Sequence, residues 1–290
     1  MDISIIIVSY NTADLLTPCI ESILKQTGVS FEIIVIDNNS PDNSLAVLEN
    51  FKDKINIIAS PENLGFGKAN NKAFQQSQGR YLFILNPDTE LQAINDLQTL
   101  VKFMDQNPNY GLIGTRIINS NQSETLPQNE YPGERYVTSP FSALPGDIAW
   151  VLGASMITHR EIFSKINGFD EDYFLYGEDT DLCLRIRQLG YQIGYLKEVT
   201  IKHIGRASER KTAPFDLWRK KRNGLYLFIK KHYDNKQAKQ IINYDLRRSQ
   251  QRLFLLKLKQ LVWKLSPTEF AKHEKYRATS QTAKAFLERL

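Results

Sequence analysis

The sequence predicts an α/β fold, a mostly parallel sheet flanked by helices over residues 1–213, followed by a basic helical extension over 214–290. Three observations carry this. Short β-branched runs alternate with helix-period patterns, as in a sheet covered on both faces. Polar residues gather where those runs end. Charge is divided unevenly: residues 1–200 hold 14 Lys+Arg against 25 Asp+Glu, a net −11, and residues 201–290 hold 23 against 7, a net +16. The net charge of +5 for the 290-residue chain averages the two.

SIIIVSY (4–10) reads as the first strand, stopped by Asn11 and Thr12, which are good N-caps for a helix through LLTPCIESILKQ. FEIIVIDN (31–38) is the next strand, followed by a short helix over SLAVLENFKD and a weak strand at INIIAS. After the NLGFG turn come a helix over KANNKAFQQSQ, closed by Gly79, and the strand YLFILNP (81–87). A helix over 91–106 and the strand GLIGTRII (111–118) complete a nucleotide-type half, about 1–118. Residues 119–147, rich in Asn, Ser, Pro and Gly, read as a long mobile loop. IAWVLGASMIT then reads as a strand, REIFSKING as a short helix, EDTDLCLRIRQLG (178–190) as a helix and YQIGYLKEVTIKH as a returning strand, in an acceptor half over about 148–213. From 214 the pattern is helical and basic. RLFLLKLKQLVWKL (252–265) is its most amphipathic stretch.

A 42% hydrophobic and 24% charged composition excludes disorder and fibrous repeats. Two cysteines, Cys19 and Cys183, cannot make a disulfide framework or an all-cysteine metal site, which points to a reducing cytoplasmic compartment. The N-terminal MDISIIIVSYN has no basic flank and reads as a buried strand rather than a signal peptide. No stretch approaches the ~18 apolar residues of a membrane span.

Ligands of open α/β sheets bind beyond the carboxyl ends of the strands. Ser9, Tyr10 and Asn11 close the first strand, Asp37, Asn38 and Asn39 the second, and Asn86, Pro87 and Asp88 a later one. Asp37 is placed to accept hydrogen bonds from a nucleobase or ribose. Such residues also merely end strands and start turns, but three clusters at successive strand ends favour a site. Gly65 and Gly67 in NLGFGKANN let a backbone approach a ligand, although the run is neither GxGxxG nor a Walker pattern. Asp88 follows a strand without other charge, so its carboxylate is presented where a hard cation can bridge it to a diphosphate. His203, ending the returning strand, is a candidate second ligand, or an ordinary strand-end histidine. Glu178, Asp179 and Asp181 share the first turn of one helix. The helix dipole favours acids there, but three exceed what capping needs, and their repulsion raises at least one pKa, as a general base requires.

Taken in order, SIIIVSYN, VIDNNSPDNS, NLGFGKANN, LFILNPDTE, GASMI, GFDEDYFLYGEDTDLCLRIRQLGY and HIGRAS resemble glycosyltransferase family 2, the inverting nucleotide-sugar enzymes with a GT-A fold. NPDTE in place of a full DxD looks most like the rhamnosyltransferase-type branch that builds bacterial polysaccharides. The resemblance implies that Ser9, Tyr10, Asn11 and Asp37 hold the donor's base and ribose, with Asn63, Gly65 and Asn70 beside them. It implies that Asp88 binds Mg²⁺ or Mn²⁺ across the donor diphosphate, with His203 completing that site. Asp179 is then the base that deprotonates the acceptor hydroxyl, and Glu178 and Asp181 shape its field or position the acceptor. Gly153 and Ala154 would line the donor sugar, and Arg206 and Ser208 meet the diphosphate. Asn86 stands where many relatives carry the first Asp of DxD, which removes one metal-facing charge.

On this reading the donor is dTDP-rhamnose or a UDP-sugar, and the acceptor a glycan or lipid-linked species. The basic extension, with WRKKRNG (218–224), IKKHY and 252–265, mixes cations with Leu, Phe and Trp263 as interfacial helices do. It suits an anionic membrane, here the inner face of the plasma membrane. The alternatives are packing on the catalytic domain or on a second subunit. A nucleotide-binding module with a nucleic-acid arm is the rival class; no nucleic-acid module is recognisable, and the GEDTDLC acids would have no purpose there.

Overall fold

The structure is a computed structural model that describes residues 1–205 and 212–290. Chain order begins β1 (Ile3–Ser9), α1 (Ala13–Leu24), β2 (Phe31–Asp37), α2 (Ser44–Glu49), β3 (Asn56–Ala59), α3 (Phe66–Phe74) and β4 (Tyr81–Leu85). It continues with β5 (Thr89–Leu91), α4 (Asp96–Gln106), β6 (Tyr110–Asn119), β7 (Glu124–Thr125), β8 (Ser155–His159), α5 (Arg160–Lys165), α6 (Glu178–Gln188) and β9 (Gln192–His203). Three helices follow: α7 (Pro214–His232), α8 (Asn235–Gln260) and α9 (Pro267–Leu287).

The strands form one sheet in the order β3-β2-β1-β4-β8-β6-β9-β5, with β7 beside β6. Pairings β2–β3, β1–β2, β1–β4 and β6–β9 are parallel, whereas β8 runs against both β4 and β6 and β5 against β9. Side chains of a strand alternate between faces, and the two cores follow that period. Ile3, Ile5 and Ile7 of β1 join Leu16, Ile20, Leu97 and Leu100 on one face. Ile6 and Val8 join Ala69, Phe163, Leu182 and Ile186 on the other. A sheet buried on both sides needs the uninterrupted β-branched runs that SIIIVSY and FEIIVID supply.

The chain divides into two compact units. The first comprises Met1–Glu130, Leu144–Phe174 and Glu178–Ser208 and contains the sheet; the second comprises Tyr131–Ala143, Leu175–Gly177 and Glu209–Leu290. Within the second, Arg222 bonds Asp245 at 3.2 Å and Thr279 at 3.0 Å, tying α7, α8 and α9 together. Lys275 lies 4.3 Å from the Trp218 ring and Lys221 4.9 Å from that of Tyr176. Part of the WRKKRNG cluster is therefore engaged inside this helical unit.

Several local expectations need correction. The helix expected over 91–106 starts only at Asp96, because Thr89–Leu91 pair as β5 with β9. Residues 119–147 are not one open loop: β7 forms a hairpin with β6, a 3-10 turn spans Glu134–Tyr136, and Tyr131 and Phe141 are buried in an aromatic cluster with Phe228 and Tyr233. Those two rings outweigh the loop-like composition around them. The strand expected over IAWVLGASMIT begins only at Ser155, because the backbone before it leaves the sheet to reach α6. Helix α8 stops at Gln260, and Leu261–Leu265 form a turn that Ser266 closes with a capping box.

Candidate active site

The parallel strands β1, β2 and β4 end on one edge, and β8, being antiparallel, starts there, with Leu85 opposite Ser155. Strand β9 also ends there, at His203. The sheet thus brings residues from five stretches of sequence to one edge.

At the β1–β2 end, Asp37 is buried; its Oδ2 accepts the Ser40 N–H at 3.1 Å, and its Oδ1 has no hydrogen-bond partner among the described residues. An unmade buried hydrogen bond costs about 1–3 kcal/mol, so an open carboxylate oxygen at a strand tip is suited to a ligand donor. Ser9 is buried with its hydroxyl 3.0 Å from that of Thr12. Tyr10 is half-buried, and Asn11, at φ 58°, turns the chain left-handed into α1. The expected N-cap by Asn11 or Thr12 is not made. Asp42 Oδ2 instead accepts the Ala13 N–H at 3.0 Å, and Ser44 Oγ that of Thr12 at 3.2 Å.

The VIDNNS and NLGFG turns are locked by Asn38. Its Nδ2 donates to Asn63 Oδ1 (3.0 Å) and to the Gly65 carbonyl (3.1 Å), and its Oδ1 accepts the Leu64 N–H (2.9 Å). Asn63 Oδ1 also accepts the Gly65 N–H at 3.0 Å. Gly65 has φ +78°, and a Cβ there would stand 2.3 Å from the Phe174 carbonyl oxygen. Only glycine meets both demands. Asn70 on α3 is buried, with its Oδ1 unpartnered among the described residues. Its neighbour Asn71 accepts the Phe169 N–H at 2.9 Å and donates to the Phe169 carbonyl at 2.8 Å, holding the GFDE loop.

At the β4 end, Asp88 and His203 meet. Thr89 pairs with His203 in the β5–β9 ladder, which sets His203 Nε2 3.4 Å from Asp88 Oδ1, while the Gly205 N–H bonds Asp88 Oδ2 at 2.9 Å. Both side chains are buried, and His203 Nδ1 has no partner among the described residues. Two donors about 2.1–2.3 Å from a shared cation lie roughly this far apart. No group of three or more His, Cys, Asp or Glu that could hold a metal occurs among the described residues. The pair therefore fits a divalent cation only where a diphosphate supplies further oxygens. Its nitrogen also departs from the all-oxygen set that Mg²⁺ prefers.

The acidic turn of α6 is connected to this corner through backbone. Asp179 Oδ2 accepts the Gly153 N–H at 3.1 Å, and its Oδ1 that of Thr180 at 2.8 Å. The next residue, Ala154, accepts the Asn86 N–H through its carbonyl at 2.9 Å. Asn86 is two residues before Asp88. Burial pushes the Asp179 carboxyl above its ordinary value, and the N–H bonds from Gly153 and Thr180 offset part of that. Glu178 is buried beside it. Asp181 is fully buried and bonds Arg185 at 2.7 Å, whose guanidinium also caps the Ile166 and Gly168 carbonyls. That gives Asp181 an internal partner one helical turn away. Arg206 and Ser208 lie outside the described residues. Burial pushes the thiols of Cys19 and Cys183 up to about 12, so neither is a nucleophile at neutral pH.

Asn71 and Asp42 are not anticipated, and Asn38 is anticipated only as a strand-end residue; all three hold loops through hydrogen bonds. The amide-rich runs DNNSPDN and ANN were their signal.

Residues 4–166 match the family model described as Glycosyl transferase family 2, and residues 134–209 the one described as N-terminal domain of galactosyltransferase. Among curated proteins the chain is 28% identical over 228 residues to the O-antigen biosynthesis protein RfbC of Myxococcus xanthus, covering 73% of this chain and 18% of that protein. It is 29% identical over 218 residues to the low-salt glycan biosynthesis hexosyltransferase Agl10 of Haloferax volcanii, covering 70% and 67%. It is 26% identical over 231 residues to the rhamnosyltransferase WbbL of Escherichia coli, covering 71% and 84%. The chain thus spans under a fifth of the Myxococcus protein and most of the Escherichia one. Among solved structures, S. aureus TarS 1-349 in complex with UDP superposes with TM-score 0.57 at 17% identity, over 100% of this chain and 92% of that one. The mannosyltransferase PcManGT of Pyrobaculum calidifontis, in complex with GDP-Man and Mn²⁺, gives 0.57 at 16%, over 99% and 74%. These structures share the GT-A fold. With more than half its length matched by a single family model on that fold, the chain belongs to glycosyltransferase family 2.

Proposed function

We propose that the chain is an inverting glycosyltransferase that moves a sugar, L-rhamnose from dTDP-rhamnose, onto a glycan or lipid-linked acceptor in cell-surface polysaccharide assembly. The observation that carries it is Asp179, a buried carboxylate with a raised pKa, tied through Gly153, Ala154 and Asn86 to the Asp88–His203 corner. The choice of rhamnose is supported by the names of relatives: WbbL, and the N-acetylglucosaminyl-diphospho-decaprenol L-rhamnosyltransferase of Mycobacterium tuberculosis, 22% identical over 232 residues.

In this reading Asp37 receives hydrogen bonds from the nucleoside through its open Oδ1, and Ser9, Tyr10 and Asn11 form the adjacent wall, with Asn70 near them. Asp88 and His203 would hold Mg²⁺ or Mn²⁺, which supplies positive charge against the departing diphosphate. Asp179 takes the proton from the acceptor hydroxyl as its oxygen attacks the anomeric carbon, and the nucleoside diphosphate leaves from the opposite face. The Gly153 N–H keeps the carboxylate oriented, and burial keeps it basic enough to take the proton. Glu178 adds negative charge beside it.

A UDP-hexose or UDP-N-acetylhexosamine donor is the second reading, favoured by the hexosyltransferase among the relatives. A donor screen decides between them: thermal shift and nucleotide release with dTDP-, UDP- and GDP-sugars, each with Mg²⁺ or Mn²⁺. A response confined to dTDP-rhamnose is expected. No response to any donor would remove the transferase assignment.

A further inference from the structure

We infer that the end of the α8–α9 hairpin is a docking surface for an anionic lipid bilayer, entered by Leu261, Val262 and Trp263. Helices α8 and α9 pack together and are joined by a short turn. Every residue from Lys257 to Lys264 is exposed. Leu261, Val262 and Trp263 are 82%, 72% and 69% exposed, and Phe254, Leu255 and Phe270 flank them, each more than half exposed. A soluble surface seldom leaves contiguous apolar side chains uncovered without a partner for them.

The composition selects the partner. Residues 252–264 contain Arg252, Lys257, Lys259 and Lys264 and no acid. Lys259 is paired with Glu269, which leaves Arg252, Lys257 and Lys264 facing solvent among the apolar side chains. Apolar groups that enter the acyl boundary beside cations that meet anionic headgroups are the makings of an interfacial anchor. A second copy of the chain is a poorer occupant, because a two-fold pairing sets like basic strips against each other and protein interface cores are depleted of charge. The turn is preorganised: Ser266 and Glu269 form a reciprocal capping box, and Pro267 occupies the first helical position. Insertion therefore orders little new backbone. No helix of the described residues is long and apolar enough to cross a membrane, so the contact is peripheral.

The surface does not depend on the sugar-transfer reading and is tested without donor. The full chain is sedimented with vesicles of equal parts phosphatidylglycerol and phosphatidylcholine, and with pure phosphatidylcholine vesicles, at low and high salt. Quenching of Trp263 by brominated lipid is read in a Trp150→Phe, Trp218→Phe background. Expected are salt-sensitive binding to the anionic vesicles, quenching of Trp263, and at least about ten-fold weaker partitioning for the triple variant Leu261→Ser, Val262→Ser, Trp263→Ser. These side chains are exposed, so the variant should keep the parental circular dichroism and melting temperature. Equal binding by parent and triple variant overturns the inference. So does a parent that ignores anionic vesicles but forms a dimer that the triple variant dissolves, which assigns the patch to a second copy.

Discussion

Asp179 combines two properties that ordinarily oppose each other. Three N–H or O–H groups bond its oxygens, which favours the charged form, yet burial prevails and the pKa rises. The sign of the stability effect follows. With its folded pKa raised, the carboxyl's contribution is fully present below the ordinary value of about 3.9 and is lost as pH rises through the folded value. Above the ordinary value its burial is a cost carried for chemistry. Asp179→Asn should therefore melt at a higher temperature than the parent at pH 8, with the gap closing as pH falls towards 4, while transfer drops by roughly 10²–10⁴-fold and donor affinity holds. Calorimetry over that range with single-turnover assays reads both; unchanged turnover would remove Asp179 as the base. At the other corner, two protein donors are too few to hold a cation alone, so metal and nucleotide diphosphate should bind cooperatively. Titration calorimetry should find weak Mn²⁺ binding to the free chain and stronger binding once dTDP or UDP is present. Asp88→Ala should abolish that difference, and tight Mn²⁺ binding to the free chain would contradict it.

Loops at the sheet edge are positioned by side chains that bond backbone on another stretch of chain. Asn71 on α3 clasps both backbone groups of Phe169, and its loss strands two partly buried peptide groups at about 1–3 kcal/mol each. Asn71→Ala should lower the melting temperature and loosen the 168–171 loop in hydrogen exchange, raising the acceptor KM more than it lowers kcat. Parental exchange in that loop would show that the clasp is dispensable. Such links are also where the sequence ran out. The long strands and α6 were legible because their apolar periods exceed two turns of pattern. The three-residue β5, which brings Asp88 to His203, is too short to carry a period, so the pairing was legible from residue types and the family resemblance but not the element that makes it. IAWVLGA (148–154) is apolar throughout, and a uniform run cannot distinguish a strand from buried irregular backbone. The Asp181–Arg185 spacing of four was in plain view, but nothing in it says whether the acid faces substrate or its own helix.

The charge division has a structural counterpart at the scale of the whole molecule, although the helical unit is not simply the tail. It includes residues 131–143, drawn in by aromatic packing across a long stretch of sequence. Tyr131 stacks on Phe228 with centroids 5.8 Å apart and planes 17° from parallel, and Phe141 meets Tyr233 edge-on at 5.2 Å. Gln237 and Gln240 on α8 donate to the carbonyls of Thr138 and Tyr136 at 3.0 and 2.8 Å. A chain cut after residue 213 loses Phe228, Tyr233 and both glutamines at once. Removing one buried aromatic ring costs about 3–5 kcal/mol, against a typical total stability of about 5–15 kcal/mol. The cut also uncovers Tyr131 and Phe141 on a segment rich in turn formers. The shortened chain should therefore bind a hydrophobic dye, aggregate on concentration and expose 131–143 to limited proteolysis. Phe228→Ala in the full chain should show the proteolytic signature in milder form, since it removes one ring and leaves the helices in place. A monomeric 1–213 chain with the parental melting temperature would mean that the sheet unit holds this segment without α7 and α8.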